Sequence, residues 1–338
     1  MKYGFIGCGN MGSSLVRALY NSTKDIAVAD FSERSKEFAK ELGICHMDNE
    51  TLVKMCNRIF LAVKPHIMAS CLAPLKELLA LKKPLIISMA AGVEIQKIES
   101  MIGVKLPIIR IMPNTPTAVG KGVVLYCRNE LVDDATLADW LKDMTPCGIV
   151  DALQENLIDA ASALSGSGPA YMYMMIEALA DGAVACGLPR DKAMVYAAAT
   201  MEGAARMFLA SGEHPGALKD AVCSPGGSTI AGVRVLEDKG FRSAAMECVV
   251  AAYNKNKELG KYIKACRMAG FFKPSPGGRV DFCKAKRRVR NGGRTDTRIC
   301  LYGSDDPTLP PAFLIRLAML GTFPPGEGIF IFRPFSPA

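Results

Sequence analysis

Histidine is scarce in this chain, three residues in 338, and tryptophan occurs once. His46 lies apart from the candidate loops, His66 follows Lys64-Pro65, and His214 sits in Glu213-His214-Pro215. None makes a convincing dyad with a carboxylate, so the base that alcohol oxidation needs is missing. Long apolar runs are also missing. The stretch 169–187 is broken by Glu177 and Asp181, which argues against a membrane-spanning helix. The chain opens directly into a strand, Tyr3-Gly4-Phe5-Ile6, leaving no room for a secretory leader. Cysteine is plentiful, at 12 residues, yet no two form a C-x-x-C pair and no histidine stands at ligand spacing. The expectation is reduced thiols in a cytoplasmic protein, with no metal site.

The net charge of +8 invites a nucleic-acid reading. Its distribution argues otherwise. Residues 263–338 hold thirteen Lys/Arg and five Asp/Glu and account for the whole excess, leaving residues 1–262 balanced. That tail also holds nine of the 20 prolines, and its basic run is Lys284-Ala285-Lys286-Arg287-Arg288-Val289-Arg290. It lacks the interleaved aromatics of a single-strand stacking platform. The composition favours a disordered, unstructured extension over a basic arm for nucleic acid or an anionic surface.

The ordered part divides in two. Residues 3–8, 25–30, 58–63, 84–88 and 107–112 read as strands, with helices at 11–21, 32–42, 66–81 and 94–102 between them. This alternation predicts an α/β domain over 1–152 with a doubly wound parallel sheet. From 153 to 262 strand signals stop, and Ala- and Met-rich helical spacing takes over at 155–165, 169–187, 189–211, 215–223 and 228–259. Pro169, Pro189 and Pro215 fall near helix starts, where proline fits. Stripes such as Met172, Met174 and Met175 read as helix packing or subunit contacts rather than as a cofactor box.

Gly7-Cys8-Gly9-Asn10-Met11-Gly12 is a G-x-G-x-x-G run placed between a strand and a helix, the context that dinucleotide binding requires. The first glycine permits the tight turn, the second admits the pyrophosphate, and the third lets helix and strand pack. The helix N-terminus offers N–H groups and positive dipole to phosphate. Asp30 suits a ribose 2′-hydroxyl and repels a 2′-phosphate, whereas Ser32, Arg34 and Lys36 can hold that phosphate, so NADPH and NADH both stay open. Ala62-Val63-Lys64-Pro65 and Ser88-Met89-Ala90-Ala91-Gly92 leave strands at their carboxyl ends, where cofactors bind in open sheets. Lys64 is the candidate there for a cofactor hydroxyl or phosphate.

In the helical half two turns are candidates for a small carboxylate: Leu164 to Tyr171, and Ser224-Pro225-Gly226-Gly227-Ser228-Thr229. Ser228 or Thr229 can equally serve as a helix N-cap. With no base for alcohol oxidation, an acceptor that is already an imine fits best, because solvent can protonate its nitrogen and a hydroxyl can hydrogen-bond to it.

These motifs together resemble the pyrroline-5-carboxylate reductase family. The resemblance runs over residues 1–262 through Phe5 to Gly12, Ala62 to Pro65, Ala90 to Gly92, Met112-Pro113-Asn114-Thr115-Pro116, Leu164 to Tyr171 and His214 to Thr229. It implies a Rossmann domain followed by a helical dimerisation domain, dimers that in some members form decamers, and reduction of 1-pyrroline-5-carboxylate to L-proline by NAD(P)H. It also implies cofactor contacts at Ile6, Gly7, Cys8, Gly9, Asn10, Met11, Asn49, Ala62, Val63, Lys64, Pro65, Ala90, Ala91 and Gly92. Ser224 and the backbone after Gly227 would hold the substrate carboxylate, with Ser228 alongside, and Thr229 would meet the ring nitrogen. Competing readings are a β-hydroxyacid-type dehydrogenase and a non-enzymatic dinucleotide-binding protein. The first predicts a Lys and an Asn in the first long helix, and Tyr171 to Ala183 has neither.

Overall fold

The computed structural model describes the backbone of residues 1–268, 272–274 and 280–282, and side chains through residue 258. The first half alternates β1 (Tyr3–Ile6), α1 (Asn10–Leu19), β2 (Ile26–Ala29), α2 (Glu33–Leu42), β3 (Cys45–His46), α3 (Asn49–Met55), β4 (Arg58–Leu61), α4 (Pro65–Leu72), α5 (Lys76–Lys82), β5 (Leu85–Ser88), α6 (Ile95–Ile102) and β6 (Ile108–Met112). It closes with β7 (Gly122–Arg128), α7 (Asp134–Met144) and β8 (Gly148–Ala152). The strand order is β3-β2-β1-β4-β5-β6-β7-β8. Neighbours from β3 to β6 are parallel. β7 runs antiparallel to β6 and parallel to β8. The expected parallel sheet is therefore correct for its six first strands and gains a reversed edge pair.

The pleat explains the layering. Tyr3 and Phe5 of β1, Phe60 of β4 and Ile87 of β5 face one side, where Leu15, Leu19, Trp140 and Met144 cover them. Ile6, Ile59, Leu61 and Ile86 face the other, against Leu52, Met68, Leu72 and Ile98. Phe5 and Phe60 stack with centroids 4.2 Å apart. Both faces are dry, so the strands read as continuous apolar runs rather than as alternation. The chain order reverses around β1, with β2 on one side and β4 on the other. That switch point opens a crevice at the carboxyl ends of the strands.

The second half consists of α8 (Ile158–Ser165), α9 (Gly168–Ala185), α10 (Arg190–Ser211), α11 (Pro215–Ala221), α12 (Ser228–Asp238) and α13 (Phe241–Met268). The run expected at 228–259 is two helices, broken at Gly240, which holds φ at 70°. α13 continues to Met268, past the end that sequence alone gave it near residue 259. α9 and α10 pack on each other through Ala180, Ala193 and Ala197. Tyr171 Oη donates to Cys248 O at 3.2 Å, joining α9 to α13.

The two halves together form one compact unit, Met1–Lys264. Beyond α13, β9 (Phe272–Pro274) and β10 (Val280–Phe282) pair antiparallel. The basic run 284–290 and the remainder of the expected tail lie outside the described residues.

Candidate active site

The turn after β1 is built by its glycines. Gly7 sits at φ 96°, and a Cβ on it would lie 2.8 Å from the carbonyl carbon of Ala62. The loops after β1 and β4 thus touch backbone to backbone. A Cβ on Gly12 would stand 2.8 Å from Gly7 O, so that glycine lets α1 close on the turn. A Cβ on Gly9 would meet nothing within 4 Å. Its bareness serves no internal contact and leaves an open approach over the first turn of α1. Gly9 is also the N-cap of α1 and supplies no capping side chain, so the helix N-terminus keeps its N–H groups for an outside acceptor. Asn10 is exposed and Met11 half-buried at the same turn. The turn thus has the form that a pyrophosphate cradle requires.

Cys8 is buried behind the loop. Burial, with the nearby Asp30 charge, pushes its thiol up to about 11, so it is a neutral packing group. Asp30 leaves β2 and accepts from both sides: Cys8 N–H to Oδ2 at 2.7 Å and Ser32 N–H to Oδ1 at 2.8 Å. Partial burial works to raise the Asp30 pKa, but these N–H donors, the Ser32 hydroxyl and the His46 charge outweigh it and hold the carboxyl below its usual range. Ser32 is the N-cap of α2, and it and Arg34 are exposed. Lys36 is paired with Glu33 at 2.8 Å.

The other expected contacts gather along the same edge. Ala62 N–H donates to Ile6 O at 2.8 Å. Val63 packs partly on the core, Lys64 is the exposed N-cap of α4, and Pro65 occupies its first turn. Burial and the Lys64 charge lower the His66 pKa. Asn49, at the start of α3, is half-buried, with Nδ2 3.7 Å from Cys71 Sγ. Ala90 is buried over Ser88, Ala91 is exposed, and Gly92 turns the chain at φ 69°.

In the helical half, Gly226 takes φ 71° and Gly227 N–H closes the turn on Ser224 O at 3.0 Å. Gly227 is the N-cap of α12, so the capping alternative for Ser228 and Thr229 is corrected. They occupy the first two helical positions with exposed side chains. A Cβ on Gly227 would lie 2.4 Å from Ser224 Oγ, so that hydroxyl folds over Gly227 and would have to rotate away to admit a larger residue. The turn expected at Leu164–Tyr171 is almost closed: α8 ends at Ser165 and α9 begins at Gly168. Gly166 N–H stays in the helical ladder on Ser162 O at 2.8 Å, so less backbone is offered there than the sequence promised. Among the described residues no hydrogen bond joins the Ser224–Thr229 turn to the glycine loop.

Sequence reasoning gave Asn114 and Arg110 no role. Asn114 is buried, donates from Nδ2 to Ser165 O at 3.0 Å and accepts Val123 N–H at 2.9 Å. It thereby binds β6, β7 and α8 together beside an open groove of about 490 Å³ lined by Pro116, Leu125, Leu164, Met172 and Tyr173. The Met-Pro-Asn-Thr-Pro run held that signal. Among the described residues, no cluster of three or more His, Cys, Asp and Glu could hold a metal, and no helix is long and apolar enough to cross a membrane.

A glycine cradle at the switch point of a doubly wound sheet, followed by a helical half, defines a dinucleotide-dependent oxidoreductase of the Rossmann type. The family profile described as NADP oxidoreductase coenzyme F420-dependent matches residues 2–92, and that of pyrroline-5-carboxylate reductase dimerisation matches residues 155–259. A pyrroline-5-carboxylate reductase of Escherichia coli is 40% identical over 266 residues, which is 77% of this chain and 98% of the relative. One from Pisum sativum is 40% identical, covering 76% of this chain and 95% of the relative. The crystal structure of the Plasmodium falciparum pyrroline carboxylate reductase with NADP bound superposes with a TM-score of 0.70 at 36% identity, over 77% of this chain and 98% of that one. The chain belongs to the pyrroline-5-carboxylate reductase family.

Proposed function

We propose that the protein reduces 1-pyrroline-5-carboxylate to L-proline with a nicotinamide dinucleotide. The observation that carries the reading is the likeness to the Escherichia coli enzyme over 98% of its length, spanning the glycine cradle and the Ser224–Thr229 turn alike. When bound, a reduced dinucleotide would supply the hydride for the imine carbon, with one proton for the ring nitrogen coming from solvent. The chain's own residues do the rest. Backbone N–H groups at the start of α1 hold pyrophosphate, with Ile6 to Met11, Asn49, Ala62 to Pro65 and Ala90 to Gly92 lining the crevice. Ser224 and the N-terminus of α12 hold the substrate carboxylate, favoured by the helix dipole. Thr229 donates its hydroxyl to the ring nitrogen and fixes the orientation of the imine.

The helical half needs a second copy. Its fully covered apolar side chains are few, whereas Met174, Val195, Met207 and Leu209 are each more than 60% exposed. Such a surface is that of an obligate interface. A homodimer through α9, α10, α12 and α13 is the working unit. The free thiols of Cys8, Cys45, Cys56, Cys71, Cys127, Cys147, Cys186, Cys223 and Cys248 fit a reducing compartment such as the cytoplasm.

The test follows the loss of reduced-nicotinamide absorbance with purified protein and pyrroline-5-carboxylate. Stoichiometric appearance of L-proline supports the reading. Cofactor binding without oxidation would return the protein to the class of dinucleotide binders.

A further inference from the structure

The turn after β2 is where the two nicotinamide dinucleotides differ, because only one carries a 2′-phosphate on the adenosine ribose. In this chain that turn is dominated by a fixed carboxylate. Asp30 is clamped by Cys8 N–H at 2.7 Å and by Ser32 N–H at 2.8 Å. Its main chain is held as well: His46 Nε2 lies 3.1 Å from Asp30 O. The carboxylate therefore cannot swing away from a ligand on the glycine loop. Each of its oxygens keeps a further lone pair, enough to accept from a ribose hydroxyl.

The groups that would answer a phosphate are engaged or face negative charge. Ser32 N–H is taken by Asp30. Lys36 Nζ lies 2.8 Å from Glu33 in an exposed pair, and Glu33 adds a second negative charge to the same turn. The exposed Arg34 is the remaining cation of the 30–36 segment. One long, mobile guanidinium faces a pinned carboxylate, and a 2′-phosphate would add about two negative charges beside it.

We propose that Asp30 selects NADH over NADPH in this chain. The proposal rests on the dinucleotide-binding reading of the glycine loop and goes beyond it by fixing which dinucleotide is used and which residue decides. A hydroxyl pair gains hydrogen bonds from Asp30, and a 2′-phosphate meets like charge, so the residue both attracts one ligand and repels the other.

The test is binding without substrate. NADH and NADPH are titrated into the full chain by nicotinamide fluorescence, and ADP-ribose and its 2′-phosphate by calorimetry. NADH binds more tightly by about tenfold or more, which is about 1.4 kcal/mol. In Asp30→Ser and in Asp30→Asn the preference falls by about tenfold, chiefly through tighter NADPH binding. Asn keeps the shape and one acceptor oxygen should Ser weaken the fold, and a ratio of two ligands on one protein cancels a partial loss of folded material. Equal or tighter NADPH binding by the natural chain overturns the proposal. So does a preference unchanged in both variants. Failure to bind either dinucleotide overturns the dinucleotide reading beneath it, whereas an intact NADH preference with no imine reduction overturns only the proposed reaction.

Discussion

Arg110 on β6 is buried, and one of its guanidinium nitrogens lies 3.1 Å from Glu155 Oε1, an oxygen that also accepts Ile95 N–H at 2.8 Å. The other nitrogen reaches Asp159 Oδ1 at 3.2 Å. The dinucleotide-binding half is thereby tied to the first residues of the helical half through a charge that has lost its water. Removing one partner leaves that charge under-compensated. Glu155→Ala is expected to lower stability by about 1–3 kcal/mol, less than a fully buried pair because Asp159 remains. The shift is read from the urea midpoint at unchanged slope, and a midpoint equal to that of the natural chain refutes the role.

The three glycines of the loop should separate by phenotype. A Cβ at Gly7 meets Ala62 backbone at 2.8 Å in a left-handed conformation, and a Cβ at Gly12 meets Gly7 O at 2.8 Å. Gly7→Ala and Gly12→Ala should lower the melting temperature before any ligand is added. Gly9→Ala has open space and should melt normally, yet bind dinucleotide at least about tenfold more weakly, since its methyl occupies the approach to the first turn of α1. Equal melting of all three variants would contradict this division.

The placement of the candidate loops was legible because it is set by local sequence. The Gly7–Gly12 run, Asp30 and the loops after β4 and β5 each follow a short apolar strand, and the sheet brings them to one edge. What escaped depended on distant pairing. β3 is only Cys45 and His46, too short to show a pattern. β7 carries β-branched and aromatic residues, Val123, Val124 and Tyr126, but its direction is set by pairing with β6, which no local signal reports. Asn114 acts through Ser165 and Val123, and Arg110 through Glu155 and Asp159, all remote or unpatterned in sequence. The N-cap of α12 fell to Gly227, just before the hydroxyls of Ser228 and Thr229.

Thr229 stands at the second position of α12 with its side chain exposed, and Gly227, not Thr229, caps the helix. Its hydroxyl is thus unused by the fold. Thr229→Ala should leave melting and dinucleotide affinity near those of the natural chain while lowering kcat/KM for the imine by about 1–3 kcal/mol, the worth of one hydrogen bond in the transition state. Thr229→Ser should recover most of the loss. An unaltered rate in the alanine variant would remove Thr229 from the mechanism.

Asp30 also gives stability a pH dependence of known sign. Its folded pKa lies below the ordinary carboxylate value, so the native state binds that proton less readily than the unfolded chain. The resulting stabilisation is fully present above about pH 4, the unfolded value, and is lost as pH falls through the folded one. Asp30→Asn should remove this part of the acid limb, so the melting temperatures of variant and natural chain converge as pH drops below about 4 and separate above it. Melting curves that stay parallel across that range would show that the carboxylate's hydrogen bonds to Cys8 and Ser32 carry no net preference for its charged form.

The helical half makes the last prediction. Met174 and Leu209 are both 68% exposed in the single chain, on helices whose covered core is little more than Ala180, Ala193 and Ala197. With Ile176, Val184 and Leu188 only partly buried around these alanines, the α9–α10 pair is expected to gain much of its stability from a partner surface. Met174→Glu and Leu209→Glu each place a charge where the second copy is expected to cover it, which costs several kcal/mol if the carboxylate stays ionised and unpaired, by the usual burial penalty. Sedimentation at micromolar concentration should show dimers or larger assemblies for the natural chain and a shift toward monomer in the variants. The melting temperature should rise with protein concentration for the natural chain alone. A natural chain that sediments as a monomer, with a concentration-independent melting temperature, would mean that these side chains face water and that the substrate turn at Ser224 works without a second copy.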